Sequence, residues 1–383
     1  ESCIFVNGRE FGTGRNSWVT TRHHYLVDNV ITSDAKSGER FEILLETYAG
    51  QYYPEAPSLD NATGPVLPGS YQNPVPEGER VTLGRSSFGI WNEEAYQLYL
   101  DVTTLFSLWK TLDEASLRAA KIEEGLEEFT RIVDFEQERA LRIRDYRKAR
   151  EALRILLEAH NGSTRPTFYA VGNAHIDLAW LWPVRETERK AERTFAAQLR
   201  HLEEYPEYRF LQSQPALYEM CRRCYPDLFR KIKAAAREGR WIPEGAMWVE
   251  PDTNLPSGES LVRQLLYGKA YFWKEFGVDS EILWLPDSFG YSGALPQLLK
   301  DAGVKYLVTQ KIFWSYNEGE EFPYHYFTWE GIDGTSVTAF LPTSYTYQTT
   351  PEEIGNVWKN RRQRRNLDSF LLPFGYGDGG GGP

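Results

Sequence analysis

Three apolar runs in this chain end in side chains that can do chemistry. The run 167–171 leads into Asn173-Ala174-His175-Ile176-Asp177, and the run 281–285 into Pro286-Asp287-Ser288-Phe289-Gly290. The run 370–374 leads into Gly375-Tyr376-Gly377-Asp378 and further glycines. In parallel α/β architectures, function gathers beyond the carboxyl ends of the strands. Three such ends that each deliver an Asp, one with a His as well, therefore define a candidate site. His175 and Asp177 stand two apart, which in an extended segment points both side chains to one side. A ring nitrogen and a carboxylate converging in this way make half of a divalent-metal site. Mixed N/O ligation suits zinc and leaves manganese, cobalt and iron open. With Asp287 on the same edge, three protein ligands leave one position free, the pattern of a catalytic zinc.

Plainer readings stand beside these. Asp177 either ligates, orients His175, or caps a helix beginning near Leu178. Asp378 is either a general acid or a turn former. No Lys-Ser/Thr follows the glycines around it, so they are no phosphate loop; such a run marks a backbone that must pass close to something. Trp180 lies one helical turn past Asp177 and is placed to line the same pocket, whereas Trp182 reads as helix core. The connection "EGAMWVEPDTNLPSGES" supplies Glu244, Glu250, Asp252 and Trp248. Asp252 is the acid expected to reach a ligand, and Ser257 the cap of a helix beginning near Glu259.

Three textures position these residues. Residues 1–90 carry short β-like runs (3–6, 17–19, 41–48) separated by Gly and Pro turns and a long loop, and read as a β-rich, sandwich-like domain. Residues 91–164 turn helical: "ASLRAAKIEEGLEEFTRIV" and "RKAREALRILLEAH" space apolar residues three and four apart, and Asn161-Gly162 stops the second. From 165 to 383 strands and helices alternate, with strands expected at 167–171, 209–212, 281–285, 306–310 and 370–374. Helices are expected at 217–237 and 259–276, and a hairpin turning at Asp333-Gly334. This alternation implies a parallel sheet, open or closed.

Composition excludes other classes. The 383 residues hold 43 basic and 54 acidic side chains, a net charge of −11, which argues against nucleic-acid binding. No window approaches the about 20 apolar residues of a membrane span, and no signal peptide is expected. Three cysteines are too few for a disulfide framework, so a cytoplasmic location is expected. Cys221-x-x-Cys224 lacks the partners of a zinc finger, and the Asn161-Gly162-Ser163 sequon reads as chance. The 12 Trp and 23 Tyr serve core and turns, or a sugar-facing surface.

Taken together, "GNAHIDLAWLWPVRET", "MWVEPDTNLPSGESLVRQ", "WLPDSFGYSGALPQLLKDAG" and "FGYGDGGGGP" resemble the retaining α-mannosidases of glycoside hydrolase family 38, in the branch of bacterial, cytosolic and vacuolar enzymes. The match is ordered over 166–383, and the region before it resembles the same branch more loosely. The resemblance implies a seven-stranded β/α barrel-like catalytic domain that releases terminal α-linked mannose from oligosaccharides. It implies that His175, Asp177 and Asp287 bind one Zn2+, for which Co2+ or Mn2+ can substitute. It makes Asp287 the nucleophile as well, with Asp378 in the acid/base segment. Trp180 then stacks under the mannose ring, with Phe289 in the nucleophile motif. Family members are often homo-oligomers.

The family's fourth zinc ligand is a downstream His. The chain's one later histidine, His325, lies in a Tyr-rich hairpin region and does not match it. The chain is therefore expected to be an N-terminal fragment. Two other readings remain: a metal-dependent carbohydrate deacetylase, and a catalytically incomplete carbohydrate-binding fragment.

Overall fold

The computed structural model describes residues 2–15, 30–47, 88–160, 162, 164–180, 182–315 and 322–383. The chain begins with β1 (Ser2–Val6), β2 (Arg9–Arg15) and β3 (Ile43–Thr47), followed by helices α1 (Glu93–Thr111), α2 (Leu117–Ile132) and α3 (Arg139–Leu157). An alternation follows: β4 (Thr167–Asn173), α4 (Val184–Glu204), β5 (Phe210–Gln212), α5 (Pro215–Cys224), α6 (Pro226–Arg237), β6 (Trp241–Pro243) and α7 (Gly258–Phe276). It continues with β7 (Ile282–Leu285), α8 (Leu295–Asp301), β8 (Tyr306–Thr309), α9 (Ile312–Ser315), β9 (Tyr326–Glu330), β10 (Ser336–Phe340), α10 (Pro351–Asn360) and β11 (Ser369–Phe374). The expected run 17–19, the long loop 55–78 and Asn161 lie outside the described residues. No described helix is long and apolar enough to cross a membrane.

Two compact units are present. One takes in the described residues of Gly84–Thr167 and Gln348–Arg361. It is helical, with Leu98, Leu105, Ile122, Val133, Tyr146, Ala149 and Leu153 in its core. Helices α1, α2 and α10 start where side chains satisfy free amides: Asn92 accepts from Ala95, Ser116 from Ala119 and Thr350 from Glu353.

The other unit takes in the described residues of Glu1–Leu83, Phe168–Tyr347 and Arg362–Pro383. Its first three strands form one antiparallel sheet, ordered β2-β1-β3. Its α/β part holds two four-stranded sheets, ordered β11-β4-β5-β6 and β7-β8-β10-β9. Strands β4, β5 and β6 run parallel, as do β7, β8 and β10; β9 pairs antiparallel with β10 through the turn at Asp333-Gly334. One apolar cluster, Val171, Leu211, Trp284 and Val308 with Ile242, Ile282, Phe340 and Leu371 against it, draws a side chain from each of β4, β5, β6, β7, β8, β10 and β11. Helices α4 to α7 pack a second core around Phe195, Phe210, Tyr218, Trp241 and Phe272.

Two helical expectations are corrected, both by proline. The helix expected at 217–237 is two helices. Pro226 cannot donate an amide to the preceding turn, and the residue before it, Tyr225, takes φ −134°, ψ 65°. No helix begins near Leu178: residues 178–180 are bends, and α4 begins at Val184 with Pro183 as its cap residue. Asp177 therefore caps nothing there. Trp182 precedes that proline and is core without being helical. Its indole N–H donates to Thr187 Oγ1 at 3.2 Å, and Lys190 lies over its ring. By contrast, α7 starts at its Ser257 cap and stops at Gly277 in the left-handed region.

Candidate active site

The loops beyond β4 and β11 are stitched to each other. The amide of Asp177 donates to the carbonyl of Asp378 at 2.8 Å, and Ile176 bridges Gly379. The glycine run makes this approach feasible. Gly375 has φ +118°, and a Cβ there would stand 2.4 Å from the Asn173 carbonyl oxygen. Buried polar residues of α4 hold the run from beneath: Thr194 Oγ1 accepts from the Gly381 amide at 2.8 Å, and Gln198 donates to its carbonyl at 2.5 Å. Two glutamines, one ending β5 and one just beyond it, tie in further loops. Gln212 donates to Ala174 O and Gln214 to Ile176 O, and the Glu250 amide donates back to Gln214 Oε1 at 3.2 Å.

His175, Asp177 and Asp378 on these loops meet Asp287 beyond β7, and the donor atoms of all four lie within 4.8 Å of one another. His175 Nε2 stands 3.3 Å from Asp177 Oδ1 and 3.4 Å from Asp287 Oδ2. A tetrahedral zinc with bonds of about 2.0–2.1 Å has ligands roughly 3.3–3.4 Å apart. The two spacings at His175 therefore fit such an ion, and the surplus of carboxylates asks for a cation.

Four more side chains complete the constellation. Glu250 Oε2 lies 2.5 Å from His175 Nδ1, and Ser213 Oγ donates to Glu250 Oε1. Lys311, at the end of β8, places Nζ 2.6 Å from Asp287 Oδ1. The Tyr345 hydroxyl, beyond β10, stands 3.1 Å from both Asp287 Oδ1 and Asp378 Oδ1, so its proton serves one carboxylate at a time. The rule of looking beyond each strand end finds Lys311 and Tyr345 once it is applied to 306–310 and 336–340.

The remaining sequence candidates are placed as follows. Phe289 is 62% exposed, with the Lys311 ammonium 4.8 Å from its ring centre. Trp180, 36% exposed, meets Trp182 edge-on at 5.8 Å. Asp252 stays out of the cluster; it is exposed, and its Oδ1 accepts from the amides of Asn254 and Leu255, both at 2.8 Å. His325 is also elsewhere: Nδ1 meets Leu341 O at 2.7 Å and Nε2 accepts from the Arg362 amide.

The local field separates the roles of these groups. Burial works against a charged His175, but Glu250 and the hydrogen bonds of Asp177 and Asp287 outweigh it and hold the imidazole well above its ordinary pKa. Burial pushes Asp177 up, against the pull of His175. Burial acts the same way on Asp287, yet His175 and Lys311 prevail and hold it below the ordinary carboxylate value. Burial and the two aspartates drive the Tyr345 phenol far up, so it remains a neutral donor.

Residues 165–383 match the Glycosyl hydrolases family 38 N-terminal domain, and the chain belongs to that family. Alpha-mannosidase G of Dictyostelium discoideum is 34% identical over 388 residues, covering 100% of this chain and 34% of that protein. Alpha-mannosidase 2C1 of Homo sapiens is 34% identical over 355 residues, covering 91% of this chain and 34% of that protein. An alpha-mannosidase of Saccharomyces cerevisiae is 41% identical over 219 residues, covering 56% of this chain and 20% of that protein. The chain thus spans about a third of the length of two of these relatives and a fifth of the other.

Proposed function

We propose that this chain carries the catalytic centre of a retaining, exo-acting α-mannosidase that removes terminal α-linked mannose from oligosaccharides. The observation that carries this reading is the closeness of Asp287 and Asp378, whose carboxylate oxygens approach within 4.8 Å inside one cluster. Retaining pairs stand about 5–5.5 Å apart, whereas inverting pairs leave about 6.5–9.5 Å for a water molecule. Asp287, kept ionised by His175 and Lys311, attacks the anomeric carbon while Asp378 gives its proton to the leaving oxygen. Asp378 then deprotonates the water that cleaves the mannosyl–Asp287 ester. The Tyr345 hydroxyl can follow the charge from one aspartate to the other as it shifts. Trp180 and Phe289 offer ring faces to the apolar C–H surface of the sugar.

In the same reading His175, Asp177 and Asp287 hold one Zn2+, with Co2+ or Mn2+ able to replace it. Such an ion, when bound, supplies positive charge beside Asp287 and a docking point for the cis 2- and 3-hydroxyls of mannose. We also infer that the seven strands β4, β5, β6, β7, β8, β10 and β11 close into a barrel. The apolar cluster fed by all seven supports this, as do two seam contacts. Trp284 N donates to Gly245 O at 3.4 Å beyond β6, and Tyr347 pairs with Phe374 beyond β10.

The test is incubation of the full-length protein with an aryl α-mannoside, with and without chelator. NMR of the first-formed sugar should show α-mannose, and chelation should abolish its release. Release of β-mannose would overturn the retaining assignment, and release of no mannose would overturn the activity.

A further inference from the structure

The Glu250 carboxylate, bound between His175 Nδ1 and the Ser213 hydroxyl, is not itself a member of the four-residue donor cluster. We propose that Glu250 is a positioning residue for the metal centre: it fixes which nitrogen of His175 carries the proton and thereby turns the Nε2 lone pair toward the cation. The inference rests on reading the cluster as a divalent-cation centre.

Neutral imidazole has one N–H and one lone pair, and the partner of one nitrogen decides the role of the other. A carboxylate oxygen 2.5 Å from Nδ1 can only accept when ionised, so Glu250 favours a ring oriented with N–H at Nδ1. Nε2 faces Asp177 and Asp287, so a cation bound among them would take the place of any proton on that nitrogen and leave the Nδ1 proton with Glu250. Without Glu250, a proton on Nε2 would be drawn to those same carboxylates and would close the position to a metal.

Glu250 is itself held from three sides. Its side chain is 5% exposed, Ser213 donates to its second oxygen, and its amide donates to Gln214. The loop that delivers it is pinned to α7, where Gln264 O accepts from the Trp248 amide at 3.0 Å and Gln264 Oε1 from the Val249 amide at 3.1 Å. A group with only a structural task needs neither this short contact to a ring nitrogen nor a carboxylate oriented at both ends.

The test measures zinc affinity of the full chain by chelator competition for wild type, Glu250→Gln and Glu250→Ala. Melting temperatures of the metal-free proteins and visible spectra of the cobalt-loaded proteins accompany it. Loss of an outer partner of a ligating histidine weakens metal binding about 10–100-fold. We expect Glu250→Ala to fall in that range and to change the cobalt bands. Glu250→Gln, which still offers an oxygen acceptor, should retain most of the affinity at an unchanged melting temperature. Wild-type affinity in Glu250→Ala overturns the inference and leaves the cation centre standing. Failure of the wild-type chain to bind any divalent ion overturns the cation centre itself.

Discussion

The backbone amide of Asp177 donates to the carbonyl oxygen of Asp378 at 2.8 Å, which joins the loop carrying the first proposed ligands to the loop carrying the proposed acid. The contact depends on a glycine that lets two backbones meet. Gly375→Ala adds a methyl group 2.4 Å from Asn173 O at φ +118°, so it is expected to lower stability by about 1–3 kcal/mol and to weaken zinc binding. Gly239→Ala, at φ +70° with nothing within 4 Å, carries backbone strain alone and is expected to cost about 1 kcal/mol with metal binding intact. Urea unfolding of both variants, with chelator competition, separates the two effects.

Asp287 is assigned two tasks, and substitution separates them from folding. Asp287→Ala is expected to reduce mannoside turnover to background and to weaken metal binding, with an unchanged far-UV spectrum. Residual turnover near the wild-type rate would move the nucleophile elsewhere.

Asp378 lies close enough to the other donors to serve as a fourth ligand as well as an acid. Removing a general acid costs roughly 10²–10⁴-fold in rate. Asp378→Asn is expected to lose that much on substrates with poor leaving groups, much less on a dinitrophenyl mannoside, and no bound metal. Elemental analysis showing zinc lost in this variant would make Asp378 a ligand instead.

Lys311 is one of two cations that hold Asp287 below its ordinary pKa. Lys311→Met removes it, so the carboxyl group protonates at higher pH. The acidic limb of the kcat/KM profile should therefore move toward neutral pH, with activity lost first on the acid side. Breaking one side of a buried pair also destabilises the fold by about 3–5 kcal/mol. An acidic limb that stays in place would remove Lys311 from the control of Asp287.

Away from the site, Glu192 of α4 is fully buried, and burial raises its pKa from 4.5 to about 7. A raised carboxyl pKa means that the folded protein holds a proton the unfolded chain has released. Stability is therefore lost as pH climbs from the unfolded value through the folded one, by about 3 kcal/mol in total at about 1.36 kcal/mol per pKa unit. Glu192→Gln is expected to remove this component. Melting temperatures at pH 5 and pH 7.5 should then differ less in the variant than in the wild type. Equal differences would show that Glu192 is ionised in the folded state at no cost.

The four residues of the donor cluster are legible in the sequence. His175, Asp177, Asp287 and Asp378 were recognisable because each follows a short β-prone run, and alternating strands and helices put such ends on one side. The alternation itself, the helix start at Ser257, the helix end near 276 and the hairpin at Asp333-Gly334 are equally accessible. Helical spacing of apolar residues runs through 178–180 and 217–237, but the prolines at 183 and 226 override it.

Local chemistry therefore determined the punctuation of this protein and the residue types at its strand ends, because φ/ψ preference, side-chain period and capping act over a few neighbouring residues. Tertiary structure decided which acid of "VEPD" meets His175. Gln212 and Gln214 tie the loop after β4 to Glu250, while Asp252 spends its oxygen on its own loop. It also decided that Lys311 and Tyr345 share Asp287, a meeting set by strand register across the sheets. Register and inter-loop hydrogen bonds join residues far apart along the chain, and no local preference encodes which of them will meet.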